Sequence, residues 1–254
     1  MTTIVAKQLD VTAGDRVLVE NLNLTLEAGS FVAVLGCNGA GKTSTLHVLA
    51  GLAPPAGGQV LMDGMDISQR RRRQVARELG MLMQEYEDPF PATVMETALV
   101  GRHPHLDFWQ WEGPSDVRLA QEALSLVGLE GLQDRDLDTL SGGERRRLAM
   151  ATLLVQDPSI LLLDEPVSHL DPSYQRAMMR LLRQRADQHA CVVASLHDVN
   201  AAARFCDQSL LLFGNGRWLY GPTASVLTEE NLGELYGLPM RAVQFESRQI
   251  FVDA

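Results

Sequence analysis

The sequence predicts an α/β protein with a parallel sheet at its core, an antiparallel β-subdomain at its start and a helical subdomain inserted in its middle. Three observations carry that reading. Continuous apolar runs at 31–35 (FVAVL) and 160–163 (ILLL) are too short for helices and lack polar alternation, as strands buried on both faces do, and a further strand is read at 192–196 (VVASL). Leu22, Leu24 and Leu26 instead alternate with Asn21, Asn23 and Thr25, the pattern of a half-exposed antiparallel strand. From Gln84 to about Val155 the spacing of apolar residues turns helical.

The strand at 31–35 runs straight into GCNGAGKT (36–43), after which Leu46, Leu49 and Ala50 mark one face of a helix over 43–52. Strand, glycine loop and helix gather several backbone N–H groups around one point at a helix N-terminus, where a phosphate is favoured. Gly36, Cys37, Asn38, Gly39, Ala40, Gly41, Lys42, Thr43 and Ser44 are therefore the candidate nucleotide-binding residues. In such a loop the lysine, here Lys42, reaches the β- and γ-phosphates, and the hydroxyl of Thr43 faces Mg²⁺. Gly39 and Gly41 leave no Cβ to obstruct a phosphate oxygen. A glycine-rich turn with an exposed lysine is the alternative.

A strand at Met81 leads to Gln84. Thr93 and Glu96 have capping-box spacing and open a short helix. Ser115 opens a longer one bearing Val117, Ala120, Leu124 and Val127 and ended by Gly128. Ser141 and Glu144 repeat the capping-box spacing, before a helix with Leu148, Ala151 and Val155 on one face. An ordinary cap explains those two residues. It does not explain Gly142 and Gly143, which weaken a first turn while baring its N–H groups to an anion such as a γ-phosphate.

Asp164 and Glu165 emerge at the carboxyl end of the strand at 160–163, the edge where open α/β sheets bind ligands. Asp164 suits Mg²⁺, and Glu165 suits the orientation or deprotonation of an attacking water. An acidic pair that merely caps a helix is the alternative. His197 closes the strand at 192–196, and residues 210–213 and 217–220 flank Gly-Asn-Gly as a hairpin.

Composition narrows the setting. At 254 residues the chain fits one large domain or a domain with an insertion. A net charge of −10 argues against a general nucleic-acid surface. The basic runs at 70–73 and 145–147 read as solvated helix faces. Cys37, Cys191 and Cys206 have no C-x-x-C spacing, which fits reduced thiols in a cytoplasmic compartment. The N-terminal residues form no apolar signal segment, and no stretch approaches the ~20 residues of a membrane helix.

Together these motifs make residues 4–238 resemble a nucleotide-binding subunit of an ATP-binding cassette (ABC) transporter. The resemblance implies a P-loop NTPase (RecA-like) core. It implies one ABC ATPase domain over 1–240, its helical subdomain at about 86–155, and a C-terminal tail at 241–254. ATP and Mg²⁺ are the implied cofactors, with Thr43, Gln84 and Asp164 toward the metal. Gln84 matches the family's glutamine that touches Mg²⁺ or water and begins the joint to the helical subdomain. His197 matches the histidine that contacts the γ-phosphate; a lone histidine at a strand end would otherwise read as structural. With Glu165 they form the implied catalytic set. Ser168 and Asp171, in SHLD, match the loop that crosses to a second subunit. Ser141, Gly142, Gly143 and Glu144 match the signature that contacts nucleotide on the opposite subunit. The implied partners are a second copy, integral membrane permease subunits and, indirectly, a substrate-binding protein. The place is the cytoplasmic face of the inner membrane, peripherally.

Residues 90–105, 195–207 and 228–238 are similar to the cassettes of importers for iron–siderophore complexes, haem and cobalamin. The first lies where the family docks a helix of the membrane subunit. His103 and His105 are two apart with no third ligand, which speaks against a metal site, and Phe108, Trp109 and Trp111 read as local packing. Two positions depart from the family. Cys37 stands where many such loops have proline, and Ala13 stands where most cassettes stack an aromatic ring on adenine. A soluble ABC ATPase would share every catalytic motif. Translation factors of the family carry two cassettes and repair ATPases insert long coiled coils, and neither feature is in this sequence. Exporter cassettes are normally fused to membrane helices.

Overall fold

Alternating apolar residues at the start produce β1 (Ile4–Ala13) and β2 (Arg16–Leu26), paired antiparallel from Ile4 opposite Leu26 to Ala13 opposite Arg16. Leu22, Leu24 and Leu26 are buried while Asn21, Asn23 and Thr25 face solvent, as the alternation requires. β3 (Phe31–Leu35) then enters the core and passes through the glycine loop into α1 (Lys42–Leu49). The chain returns to the first unit with β4 (Gly57–Met62) on the free edge of β1 and β5 (Met65–Asp66) beyond it. The computed structural model describes residues 2–84, 91–246 and 248–254.

After α2 (Arg72–Glu78) and β6 (Leu79–Leu82) comes the helical insertion of α3 (Val94–Leu99), α4 (Pro114–Leu126) and α5 (Gly142–Gln156). Then follow β7 (Ile160–Leu163), α6 (Pro172–Asp187), β8 (Cys191–Ser195), α7 (Val199–Phe205), β9 (Gln208–Leu212) and β10 (Trp218–Pro222). Short helices α8 (Thr223–Val226) and α9 (Glu229–Tyr236) precede a hairpin of β11 (Met240–Phe245) and β12 (Arg248–Asp253). The segment read from sequence as a tail is thus a paired hairpin, held to α7 by two hydrogen bonds between Asn200 and the Phe251 backbone.

The core sheet has the order β10-β9-β3-β8-β7-β6, parallel except for β10. Its two faces explain the continuous apolar runs. Phe31, Ala33, Leu35, Leu161 and Leu163 pack with the helical insertion and α6, whereas Val32, Val34, Ile160 and Leu162 pack with α1 and the antiparallel unit. A strand between two cores has no face left to be polar.

Local chemistry sets the insertion. Thr93 and Glu96 make both arms of the capping box on α3. α4 begins before Ser115: Pro114 takes the first helical position, and the Asp116 carboxylate accepts the Gly113 N–H at 2.9 Å. Proline preset the turn, so Ser115 has no capping role. Asp116 also accepts from Arg102 at 2.7 Å, with both side chains largely buried. The joint expected after Gln84, residues 85–90, lies outside the described residues, as does the Phe90 start of the importer-like segment.

One expectation is corrected and another holds only in part. The run at 145–147 is not a solvated face. Arg147 is buried over the Tyr174 ring, 4.2 Å from its centroid, and donates to the Val127 and Gly128 carbonyls. Arg146 donates to backbone on two strands' ends. A cation can be buried when carbonyls and a ring face replace its water. Phe108 and Trp109 pack on each other edge to face, with ring centroids 4.9 Å apart, but together with Trp111 they are 87%, 88% and 86% exposed, so none of the three joins the core. His105 is committed to the Gln156 carbonyl and His103 lies near Glu112, so the two rings do not converge. Among the described residues no helix is long and apolar enough to cross a membrane.

Candidate active site

Four neighbouring parallel strands end on one edge of the sheet and supply the site. β3 leads into the glycine loop, β6 to Gln84, β7 to Asp164 and Glu165, and β8 to His197. The edge opens into a cleft of about 670 Å³ whose walls include Ala13, Arg16, Asn38, Lys42, Gln84, Glu165 and His197. Ligands of open α/β sheets bind at this edge because helix N-termini and strand-end loops converge there.

The glycines of the loop have separate reasons. A Cβ on Gly36 would come within 2.6 Å of the Leu212 carbonyl. Gly41 has φ +103°, and its Cβ would meet Leu18 at 2.9 Å. Gly39 has φ +75° with open space around it, so there the backbone turn alone requires glycine. Lys42 is buried, and its ammonium donates to the carbonyls of Gly36 at 2.8 Å and Cys37 at 3.3 Å. Burial pushes its pKa down, against the raising charges of Glu165 and Asp164. Cys37 hydrogen-bonds the Leu235 carbonyl at 3.1 Å.

Asp164 is fully buried. One oxygen accepts the Thr43 hydroxyl and the other the Ser195 hydroxyl, both at 2.6 Å. Glu165 gathers the rest. Its Oε1 lies 2.6 Å from His197 Nε2, and its Oε2 accepts from Ser168 at 3.0 Å and from Gln84 at 3.4 Å. Burial raises the Glu165 pKa, but the hydrogen bonds from His197 and Ser168 and the charges of His197 and Lys42 outweigh it, leaving the carboxyl below its ordinary value. At neutral pH the group is a carboxylate able to accept a proton. Glu165 also has φ +49°, a left-handed conformation that costs a non-glycine residue ~1–3 kcal/mol and persists only where neighbours over-determine it.

The structure thus brings together the loop residues, Thr43, Gln84, Asp164, Glu165, Ser168 and His197. It does not bring Ser141, Gly142, Gly143, Glu144 or Asp171 to the cleft. Ser141 and Glu144 form the expected capping box. A Cβ on Gly142 would meet nothing within 4 Å, so this chain's own packing gives no reason for glycine there. Asp171 is exposed at the start of α6.

Three residues of the site escaped sequence reasoning. Ser195 bridges Asp164 and the Glu165 N–H, the latter at 2.8 Å; a lone hydroxyl inside an apolar run was its only signal. Arg16 enters the cleft while donating to the Gly214 carbonyl at 2.8 Å. Arg146 holds the strand ends from behind.

The family profile described as ABC transporter matches residues 19–168. The chain belongs to the ABC transporter family. It is similar to the hemin import ATP-binding protein of Bradyrhizobium diazoefficiens, 37% identical over 92% of this chain and 88% of that one. It is also similar to the ferric enterobactin transport ATP-binding protein of Escherichia coli, 35% identical over 94% and 90%. Among solved structures, a metal-chelate type ABC transporter in an inward-facing conformation superposes with a TM-score of 0.85 at 28% identity, covering 100% of this chain and 98% of that one. As an ABC transporter ATPase, the chain has the P-loop NTPase core, the antiparallel unit and the helical insertion that its sequence predicted. It binds ATP and hydrolyses it to drive transport.

Proposed function

We propose that this ABC ATPase energises import of an iron chelate (a siderophore complex or haem) or of cobalamin. Two copies would work beneath integral membrane permease subunits, at the cytoplasmic face of the inner membrane, with cargo delivered by a substrate-binding protein. Glu165 carries the hydrolytic reading: an ionised carboxylate, held by His197, Ser168 and Gln84, faces the cleft of the glycine loop. The cargo class is supported by relatives named for hemin and ferric enterobactin that match along nearly the whole chain.

In this reading the loop N–H groups and Lys42 bind the phosphates of ATP. Lys42 exchanges its carbonyl partners for phosphate oxygens. Thr43, Asp164 and Gln84 would hold Mg²⁺, and the fit is sound. Their hydroxyl, carboxylate and amide oxygens are the hard donors that Mg²⁺ takes, and the Thr43 hydroxyl already touches Asp164. Bound there, the ion would neutralise charge on the β- and γ-phosphates. Glu165 takes the proton of the attacking water, and His197 orients the carboxylate and reaches the γ-phosphate. Ser141, Gly142 and Gly143 would complete the site across the dimer, which accounts for a glycine that intrachain packing does not need. Closure and release would then work the permease.

The test is reconstitution. Membrane proteins that co-purify with the chain are placed in liposomes, and ATPase activity is measured with binding proteins loaded with ferric siderophore, haem or cobalamin. Stimulation by one of these is expected. The absence of any co-purifying integral membrane protein, with an ATPase rate that membrane subunits and loaded binding proteins leave unchanged, would establish the soluble alternative instead.

A further inference from the structure

We propose that Arg146 is a positioning residue for hydrolysis, which holds Glu165 and Gln84 in place by binding the backbone that carries them. The inference rests on the reading of Glu165 as the base. Arg146 lies in the second turn of α5, the helix whose first turn bears Gly142 and Gly143. Its guanidinium donates to four carbonyls. Nη1 serves Met83 and Gln84, the latter at 3.2 Å, and Nη2 serves Asp164 and Glu165, the latter at 2.7 Å. Two strand ends that pair side by side, β6 and β7, are therefore clasped by one planar group.

The guanidinium is suited to this. It presents several N–H donors in a fixed fork, where a lysine ammonium would offer a compact point charge with less directional reach. The clasp also answers a need. Glu165 is left-handed, and a strained peptide stays put only if both its sides are held. Ser195 holds its N–H and Arg146 holds its carbonyl. Without Arg146, the Glu165 peptide can relax toward ordinary φ, and the carboxylate moves off the line of attack. Displacements near 1 Å cost up to ~10²-fold in rate. Because the same helix presents the signature residues, the clasp also links α5 mechanically to the catalytic carboxylate.

The experiment compares wild type with Arg146→Ala, Arg146→Lys, Glu165→Gln and the double variant Arg146→Ala/Glu165→Gln. ATP affinity is read by calorimetry, hydrolysis by kcat and KM, folding by thermal melting, and dimer closure by size exclusion with ATP. Arg146→Ala should lower kcat by roughly ten- to a hundredfold, with KM and ATP affinity close to wild type. Arg146→Lys should recover part of the loss. In the double variant, hydrolysis should fall no further than in Glu165→Gln, and the ATP dimer should still form, since Arg146 acts through that carboxylate. Near-normal turnover in Glu165→Gln would remove the base and with it the reading beneath this inference. A dead Glu165→Gln beside an Arg146→Ala of wild-type kcat overturns the positioning role alone. If Arg146→Ala does not fold, Arg146→Lys decides: reduced kcat at unchanged ATP affinity supports the clasp, and wild-type kcat overturns it.

Discussion

Glu165 touches three side chains and is the carboxylate that lines the cleft among the described residues, so its removal should separate binding from hydrolysis. For Glu165→Gln we expect hydrolysis to drop by ~10²–10⁴-fold, the worth of a general base, while ATP binding persists. An ATP-dependent dimer should then accumulate and be seen by size-exclusion chromatography. Ala13 gives a second test at this scale. It is exposed on the cleft wall directly opposite Arg16 in the strand register. Stacking on a base is worth ~1–3 kcal/mol, and 1.4 kcal/mol is about tenfold in affinity. Ala13→Tyr should therefore tighten ATP roughly tenfold and leave the maximal rate similar, and base discrimination in wild type should be weak. Calorimetric titration with ATP and GTP checks both. Equal affinities in wild type and variant would assign the base platform to another residue, with Arg16 the one already in the cleft.

At the scale of elements, the helical insertion depends on a junction between the α3 end and the start of α4. Arg102 and Asp116 are paired at 2.7 Å with side chains 16% and 10% exposed, and Asp116 also holds the first turn of α4 through Gly113. Removing one partner leaves the other buried, so Arg102→Ala should cost about 3 kcal/mol by urea unfolding. The Gly113 N–H, and after it Arg102, keep the Asp116 carboxyl below its ordinary value. The stability it contributes is complete above the unfolded value near pH 4 and is lost as pH falls through the lower folded value. Wild type should thus lose more stability than Asp116→Asn as the pH falls below about 4. Parallel melting curves of the two proteins would expose the idea if they shift by the same amount.

For the whole molecule the telling fact is division: one chain has both the glycine loop and the signature, and its own cleft lacks the signature residues. A two-fold dimer would supply each from the other copy, through an isologous interface. Lys42→Ala should abolish ATP binding. Ser141→Arg should spare binding by the monomer and block closure. Mixed together, the two inactive proteins should regain some ATPase activity, because one of the two composite sites in a mixed dimer is intact. Mixed dimers that form and show no rescue would count against sharing across subunits.

What the sequence determined by itself was local in origin. Buried strands, the glycine loop, the capping boxes at Thr93 and Ser141, and the hairpin near the end each depend on residues within a few positions of one another. Asp164 and Glu165 stood out in the sequence because an apolar run ends on them at once, whereas Gln84 and His197 were named only through the family resemblance. The helix start at Pro114 was misread by one position because a serine and a proline compete for the same signal. Only the tertiary structure decided that three adjacent arginines differ, that Ser195 joins two carboxylate-bearing residues, and that Arg16 enters the cleft. Those contacts join positions far apart in the chain: 63 residues between Arg146 and Met83, 31 between Ser195 and Asp164, and 198 between Arg16 and Gly214. They exist because the sheet sets β3, β8, β7 and β6 side by side, an order fixed by packing on both faces and by no single stretch of sequence.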